Sequence, residues 1–241
     1  MNLVYRNIQV ASNNGEKLLA ILIDPDKFFI KNTYNFIKKV NASIATHVFV
    51  GGSVVAKNIT DILVEEIKKY TKLPIVLFPG AITQITNKAD AILFLSLLSG
   101  RNPDYLIGKH VKAVSKLEKT NLEVISTGYI LIESGKKTAV ELVTATKPMS
   151  RSNVKKIINT AKAGALLGMK LIYLEAGSGA KEMLSETIIK NVKKELDIPL
   201  IVGGGIINKE QLELAYRAGA NLVVIGTAFE DDELFFNEIK R

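Results

Sequence analysis

Eight short apolar runs, each closed by a turn and nearly all followed by a helical pattern, organise this chain of 241 residues. The first, Leu18-Leu19-Ala20-Ile21-Leu22-Ile23, is apolar at every position, as a strand buried on both faces is. Runs at 47–50, 75–78, 91–95, about 122–132, 171–175, 200–203 and 222–225 follow it. Helical segments are expected at about 33–40, 59–70, 151–168, 181–196 and 231–239, with a further helix after the cap at Asn208. Regular alternation of strand and helix implies a parallel sheet. Eight units in this length suit a single (β/α)8 TIM barrel spanning 1–241, an α/β fold. A doubly wound open sheet is the alternative, but it more typically carries Gly-x-Gly-x-x-Gly after its first strand. Here that strand ends in Asp24-Pro25-Asp26-Lys27.

Two places depart from the regular unit, on either side of an ordinary one. Only some ten residues separate the third strand from the fourth, so the third helix is expected to be short or missing. Asn102-Pro103 reads as a cap and first-turn pair opening a helix, with Leu106, Ile107, Val111 and Val114 as its apolar stripe. The segment 133–150 is longer than an ordinary strand-to-helix link and reads as a lid or a substrate-binding excursion.

Composition excludes several chemistries. There is no cysteine, so disulfides, thiolate metal sites and cysteine nucleophiles are ruled out. Only two histidines occur, His47 at the start of a strand and His110 inside a helix, and neither falls at a strand's C-terminal end. A Ser-His-Asp triad or a histidine-rich metal site is therefore not expected. The chain opens without the charged-then-apolar build of a signal peptide and holds no run long enough to span a bilayer, so a cytoplasmic location is expected. The net charge of +8 is spread over helical segments rather than gathered in a tail, and Trp is absent. Solvated helix faces explain that charge better than a nucleic-acid footprint does. A basic face would also suit a substrate that lives in lipid, which leaves peripheral membrane contact open.

The chemistry gathers where strands end in glycine. The run Leu171 to Gly179 changes from an apolar strand to a glycine-serine turn, and alternation puts Tyr173 and Glu175 on one side of it. Two later strands end in Gly203-Gly204-Gly205 and Gly226-Thr227. Backbone that lacks Cβ atoms can approach an anion closely, and helix N-termini behind such turns add partial positive charge. Phosphate commonly sits at the ends of the last two strands of such a barrel. Each glycine alone reads equally as an ordinary tight turn; three such turns at matching strand ends point to a phosphorylated ligand. Glu175, one strand away, is the candidate general base, with a salt-bridged interior carboxylate as the plainer alternative. Tyr173 would line the same pocket or serve as a core tyrosine. Asp24 and Ser53 offer hard oxygen donors of the kind Mg²⁺ prefers, although Asp24-Pro25-Asp26 would also make a simple turn and helix cap.

Asp24-Pro25-Asp26-Lys27, Gly51-Gly52-Ser53, Ser99-Gly100-Arg101-Asn102-Pro103, Tyr173-Leu174-Glu175-Ala176-Gly177-Ser178-Gly179, Val202-Gly203-Gly204-Gly205-Ile206 and Gly226-Thr227 together resemble the geranylgeranylglyceryl phosphate synthase family, which includes the bacterial heptaprenylglyceryl phosphate synthases. The resemblance covers essentially the whole chain. The Tyr-Leu-Glu-Ala-Gly-Ser-Gly segment and Asp-Pro-Asp-Lys are its specific parts, since Val-Gly-Gly-Gly and Gly-Thr recur in many phosphate-binding barrels. It implies a magnesium-dependent prenyltransferase that joins the C3 hydroxyl of sn-glycerol 1-phosphate to a polyprenyl diphosphate, most simply geranylgeranyl diphosphate. By the same resemblance Asp24 and Ser53 match the Mg²⁺ positions, Ser53 standing where many archaeal members have Thr. Tyr173, Leu174, Glu175, Ala176, Gly177, Ser178, Gly179, Gly204, Gly205, Gly226 and Thr227 match the glycerol phosphate contacts. The thin third unit is the expected exit for the prenyl tail, and a homo-oligomer, dimer or hexamer, is implied. A different phosphate-binding barrel enzyme of biosynthetic metabolism, or a non-catalytic metabolite-binding protein, are the rival readings.

Overall fold

A computed structural model describes residues 3–231 and 235–240. Its strands β1 (Leu18–Ile23), β2 (His47–Val50), β3 (Ile75–Leu77), β4 (Ala91–Leu97), β5 (Glu123–Leu131), β6 (Leu171–Glu175), β7 (Leu200–Gly203) and β8 (Leu222–Ile225) close into one barrel. Every pairing is parallel, and β8 returns to β1 with Ala20 opposite Val224. The expected TIM barrel is therefore the fold. Alternate residues of each strand divide into two layers. Phe49, Val76, Leu93, Tyr129, Tyr173, Ile201 and Val224 fill the barrel interior, while Val48, Ile75, Ile92, Leu174 and Val223 pack outward against helices.

Helices α2 (Thr33–Ala42), α3 (Ile59–Lys68), α4 (Lys109–Leu117), α6 (Val154–Leu166), α7 (Glu186–Lys194) and α8 (Lys209–Arg217) form the outer ring. After β3 there is only a single 3-10 turn, Ile82–Gln84, so the third helix is indeed missing. The 133–150 excursion carries a short helix, α5 (Ala139–Thr144), whose N-terminus is capped by the Thr138 side chain accepting from Glu141 N–H. Past β8 come α9 (Thr227–Asp231) and α10 (Phe235–Glu238); the rest of the expected 231–239 helix lies partly outside the described residues. Helix α7 begins at Glu186, after its cap Ser185, later than the expected 181, because the chain first completes the glycine turn beyond β6.

Two features differ from the sequence reading. The N-terminal segment forms α1 (Leu3–Asn13), which no expectation included. Its Val4, Ile8 and Ala11, spaced as one helical face, plug the N-terminal end of the barrel. Glu123, at the start of β5, accepts from the Val4 and Tyr5 N–H groups at 2.8 and 3.1 Å and so caps this helix from across the fold. The second difference is α4. A π-helical segment, Asp104–Gly108, precedes it and rotates the helix, so His110 and Ala113 face inward. The stripe of Ile107, Val111 and Val114 is instead exposed, at 60%, 66% and 46%.

Candidate active site

The C-terminal strand ends open into a cavity of about 650 Å³, within the range of small-molecule sites. Asp24, Ser53, Tyr173, Glu175, Ser178, Gly179, Gly204, Gly205, Gly226 and Thr227 all line it, so the two proposed poles share one mouth. Leu174 and Ala176 belong to the outer layer and turn their side chains toward the helices, leaving only backbone for a ligand. Gly177, at φ +101°, presses against Thr138 and donates its N–H to Glu175 Oε1 at 2.6 Å.

Glu175 is buried at 6% exposure. Burial pushes its carboxyl up from 4.5 to about 7, opposed by the Gly177 N–H and by a hydrogen bond from the Tyr173 hydroxyl. The hydroxyls of Tyr173 and Tyr129 are held well above their ordinary value, first by burial and then by the neighbouring Glu175 charge. Their rings form a cluster with Phe78. Phe78 stacks on Tyr173 at 5.4 Å, and Tyr129 meets Tyr173 edge-on at 5.3 Å.

The glycines of β7 turn out to serve the carboxylate as well as any anion. A Cβ on Gly203 would collide with the Tyr173 hydroxyl, and one on Gly204 with Glu175 Oε1. Gly204 and Gly205 also sit at φ +85° and +73°, which side chains rarely adopt. Ser178 Oγ and Thr227 Oγ1 lie 3.1 Å apart, tying the β6 and β8 turns together at the mouth. Of the helices behind these turns, α8 has its Gln211 N–H taken by the Asn208 side chain, and α9 is five residues long.

On the opposite side, Gly51-Gly52-Ser53 is held by a clamp absent from the sequence reading. Buried Gln84 donates to Gly52 O at 2.7 Å and accepts from Gly52 N–H at 3.3 Å. Gly52 packs so near Asp24 that a Cβ would come within 2.6 Å of Asp24 Oδ1. Asp24 accepts from Asp26 N–H at 3.1 Å, and Lys27 Nζ is 3.9 Å away. Burial nonetheless raises the Asp24 carboxyl above its ordinary value. Among the described residues no group of three or more His, Cys, Asp or Glu forms a metal cage. One carboxylate and one hydroxyl on a shared wall fit a magnesium ion that keeps waters and takes oxygens from a bound diphosphate; they would not fit zinc, which wants nitrogen or sulfur.

Several site residues have no sequence signal of their own. Tyr129 lay within an apolar strand, and only its register opposite Tyr173 brings it to the site. Lys136, from the long excursion, places Nζ 2.8 Å from where a Gly179 Cβ would stand. Lys109 lies over the Tyr105 ring at 3.8 Å and lines the cavity beside Gly80. His47 is structural: it bonds Thr46 Oγ1 at 2.8 Å, with burial lowering its ring to about 4. His110 stacks edge-on against Phe94 at 4.3 Å.

The cavity also runs sideways. It is lined by inward residues of β4, Leu93 and Leu95, and by outward ones, Ile92 and Phe94. Ala81, Ile82 and Ile85 of the 3-10 segment and His110 and Ala113 of α4 complete it. The missing third helix thus leaves an apolar channel leading from the mouth over the barrel wall.

Residues 13–241 match the model of the PcrB family. The chain belongs to the PcrB family. A protein of Flavobacterium johnsoniae named geranylgeranylglyceryl phosphate synthase is 56% identical over 234 residues, 97% of this chain and 96% of that one. A Pyrococcus furiosus protein of the same name is 41% identical over 216 residues, covering 89% and 85%. The crystal structure of (S)-3-O-geranylgeranylglyceryl phosphate synthase from Thermoplasma acidophilum, in complex with sn-glycerol-1-phosphate, superposes with a TM-score of 0.92 at 32% identity, covering 99% and 96% of the two chains. The resemblance drawn from the sequence is borne out, and so is the expectation of an enzyme of prenyltransferase type.

Proposed function

We propose that this protein forms the ether bond between the C3 hydroxyl of sn-glycerol 1-phosphate and C1 of a polyprenyl diphosphate, most simply geranylgeranyl diphosphate, and releases diphosphate. The observation that carries the reading is Glu175: a buried carboxylate poised near neutrality, between glycine turns on one side and the Asp24–Ser53 wall across one cavity. The name and bound substrate of the Thermoplasma structure support the choice of acceptor.

Glycerol phosphate binds with its phosphate at the Ser178, Gly204 and Thr227 turns, where Lys136 adds positive charge. That grip aims the C3 hydroxyl at the allylic carbon, converting a chance encounter into a positioned one. As the oxygen attacks, its proton passes to Glu175, the new O–C1 bond forms, and the C1–O bond to diphosphate breaks with its electron pair leaving on the diphosphate. Asp24 and Ser53 would hold Mg²⁺, which supplies charge neutralisation for that leaving group. The faces of Phe78, Tyr129 and Tyr173 meet the positive charge that develops on the allylic carbon. The prenyl tail follows the apolar channel past Ala81 and Ala113.

Incubation with sn-glycerol 1-phosphate and prenyl diphosphates of several lengths, with and without magnesium, tests the reading by mass spectrometry of the product. The expected result is a prenylglyceryl phosphate made only with the metal present. Turnover that is indifferent to magnesium would favour a different phosphate-binding barrel enzyme.

A further inference from the structure

The cavity mouth is surrounded by exposed apolar side chains from separate strand-to-helix loops. Phe29 follows β1, Val54 follows β2, Leu142 and Val143 stand on α5 of the long excursion, and Ile207 follows β7, at 69%, 66%, 65%, 40% and 63% exposure. Because every strand is parallel, all these loops belong to the same end of the barrel. Val54, Val143 and Ile207 also line the cavity, so the apolar ring is its rim. A soluble protein rarely gathers large apolar groups on one functional face without a partner.

Lysines stand among them. Lys31, Lys57, Lys136 and Lys137 are exposed on the same loops, and Lys181 on the one after β6 at the same end. Among the described acidic groups of these loops, Glu182 pairs with Arg151 at 3.5 Å, Glu133 accepts from Arg151 N–H at 3.1 Å, Asp26 accepts from Ala56 N–H at 3.1 Å, and Asp24 faces the cavity. Apolar tips ringed by ammonium groups match the interface of an anionic bilayer, where apolar side chains sink past the headgroups and lysines meet the phosphates.

We infer that the C-terminal mouth of the barrel docks on an anionic lipid surface, with Phe29, Val54, Leu142 and Ile207 entering the interface. The direction of use rests on the proposed function, since docking opens the apolar channel toward the phase that holds a prenyl tail. The surface itself does not depend on it.

Vesicle co-sedimentation of the full chain tests this, with phosphatidylcholine vesicles containing or lacking phosphatidylglycerol. The chain is expected to sediment with the anionic vesicles and to be released by high salt. Phe29→Ser/Leu142→Ser, two positions outside the cavity lining, should weaken sedimentation by about tenfold or more. The same variant should keep its elution volume on gel filtration and its turnover of a prenyl diphosphate held below its micelle concentration. A lateral control, Val111→Ser/Val114→Ser on α4, should sediment like the unaltered chain. The inference is overturned if the chain ignores anionic vesicles, if the mouth variant binds them equally, or if the α4 variant loses binding instead. Gel filtration showing that the mouth variant dissociates a dimer while still binding vesicles would reassign the face to a second copy. Sedimentation without ether synthesis would leave docking standing and remove the proposed reaction; synthesis without sedimentation would do the reverse.

Discussion

Glu175 Oε1 occupies the space that a side chain at Gly204 would need. Gly204 directly follows β7, whose Gly203 pairs in register with Glu175 of β6, so the β7 glycine turn and the β6 carboxylate are one construction. Removing either member should therefore disable the other. Gly204→Ala places a methyl group against the carboxylate and forces φ +85° on a residue with a Cβ. A stability loss of about 1–3 kcal/mol is expected from the backbone alone, measurable by urea unfolding, together with a fall in kcat.

Glu175→Gln keeps the shape and removes the proposed base. Turnover should fall roughly 10²–10⁴-fold, while calorimetric affinity for sn-glycerol 1-phosphate changes only severalfold. Near-normal kcat would assign proton removal to another group or to water.

Acidity should push activity and stability in opposite directions. Burial favours the protonated Glu175 and raises its carboxyl from 4.5 to about 7. Stability from this group is thus fully present below about pH 4.5 and lost as pH rises through 7, roughly 3 kcal/mol in all. As the proposed base, Glu175 must be ionised to act, so kcat/KM should climb through pH 7. In Glu175→Gln that pH dependence of unfolding free energy should flatten relative to the unaltered protein.

Asp24→Asn leaves a neutral amide where a cation would be held. Loss of even an outer partner costs roughly 10–100-fold in metal affinity, so the magnesium concentration for half-maximal turnover should rise at least that much. An unchanged magnesium titration would move the ion elsewhere.

Ala113 and Ala81 are small residues lining the sideways channel. Ala113→Phe or Ala81→Phe should shorten the preferred prenyl chain and raise KM for long substrates, with short ones turned over as before. Product lengths read by mass spectrometry check this; an unaltered length preference would place the tail on another path.

Much of the barrel was legible because its strands are buried on both faces and so are apolar without interruption, as at Leu18–Ile23 and Leu200–Gly203. The missing third helix was legible from chain length alone. Helix α1 has little local signal, because its apolar face, Val4, Ile8 and Ala11, is only three residues set among polar ones, and its cap comes from Glu123 more than a hundred residues away. Helix α4 differs for another reason: its periodic stripe is real, but it follows the π-helical turn at Asp104–Gly108 and faces outward. Among site residues, those in continuous motifs such as Tyr173 and Glu175 could be read locally. Gln84, Tyr129 and Lys136 act across the fold, through a clamp on Gly52, a ring contact and an approach to Gly179, and local pattern holds no trace of such contacts.

The most direct measurement is a single-turnover reaction of sn-glycerol 1-phosphate with geranylgeranyl diphosphate and magnesium, comparing the unaltered chain with Glu175→Gln by quantifying both the ether product and released diphosphate. The expected result is equimolar product and diphosphate from the unaltered chain, and neither at a comparable rate from the variant. Diphosphate release without ether, or equal rates from both proteins, would contradict the assignment of Glu175 as the base for ether formation.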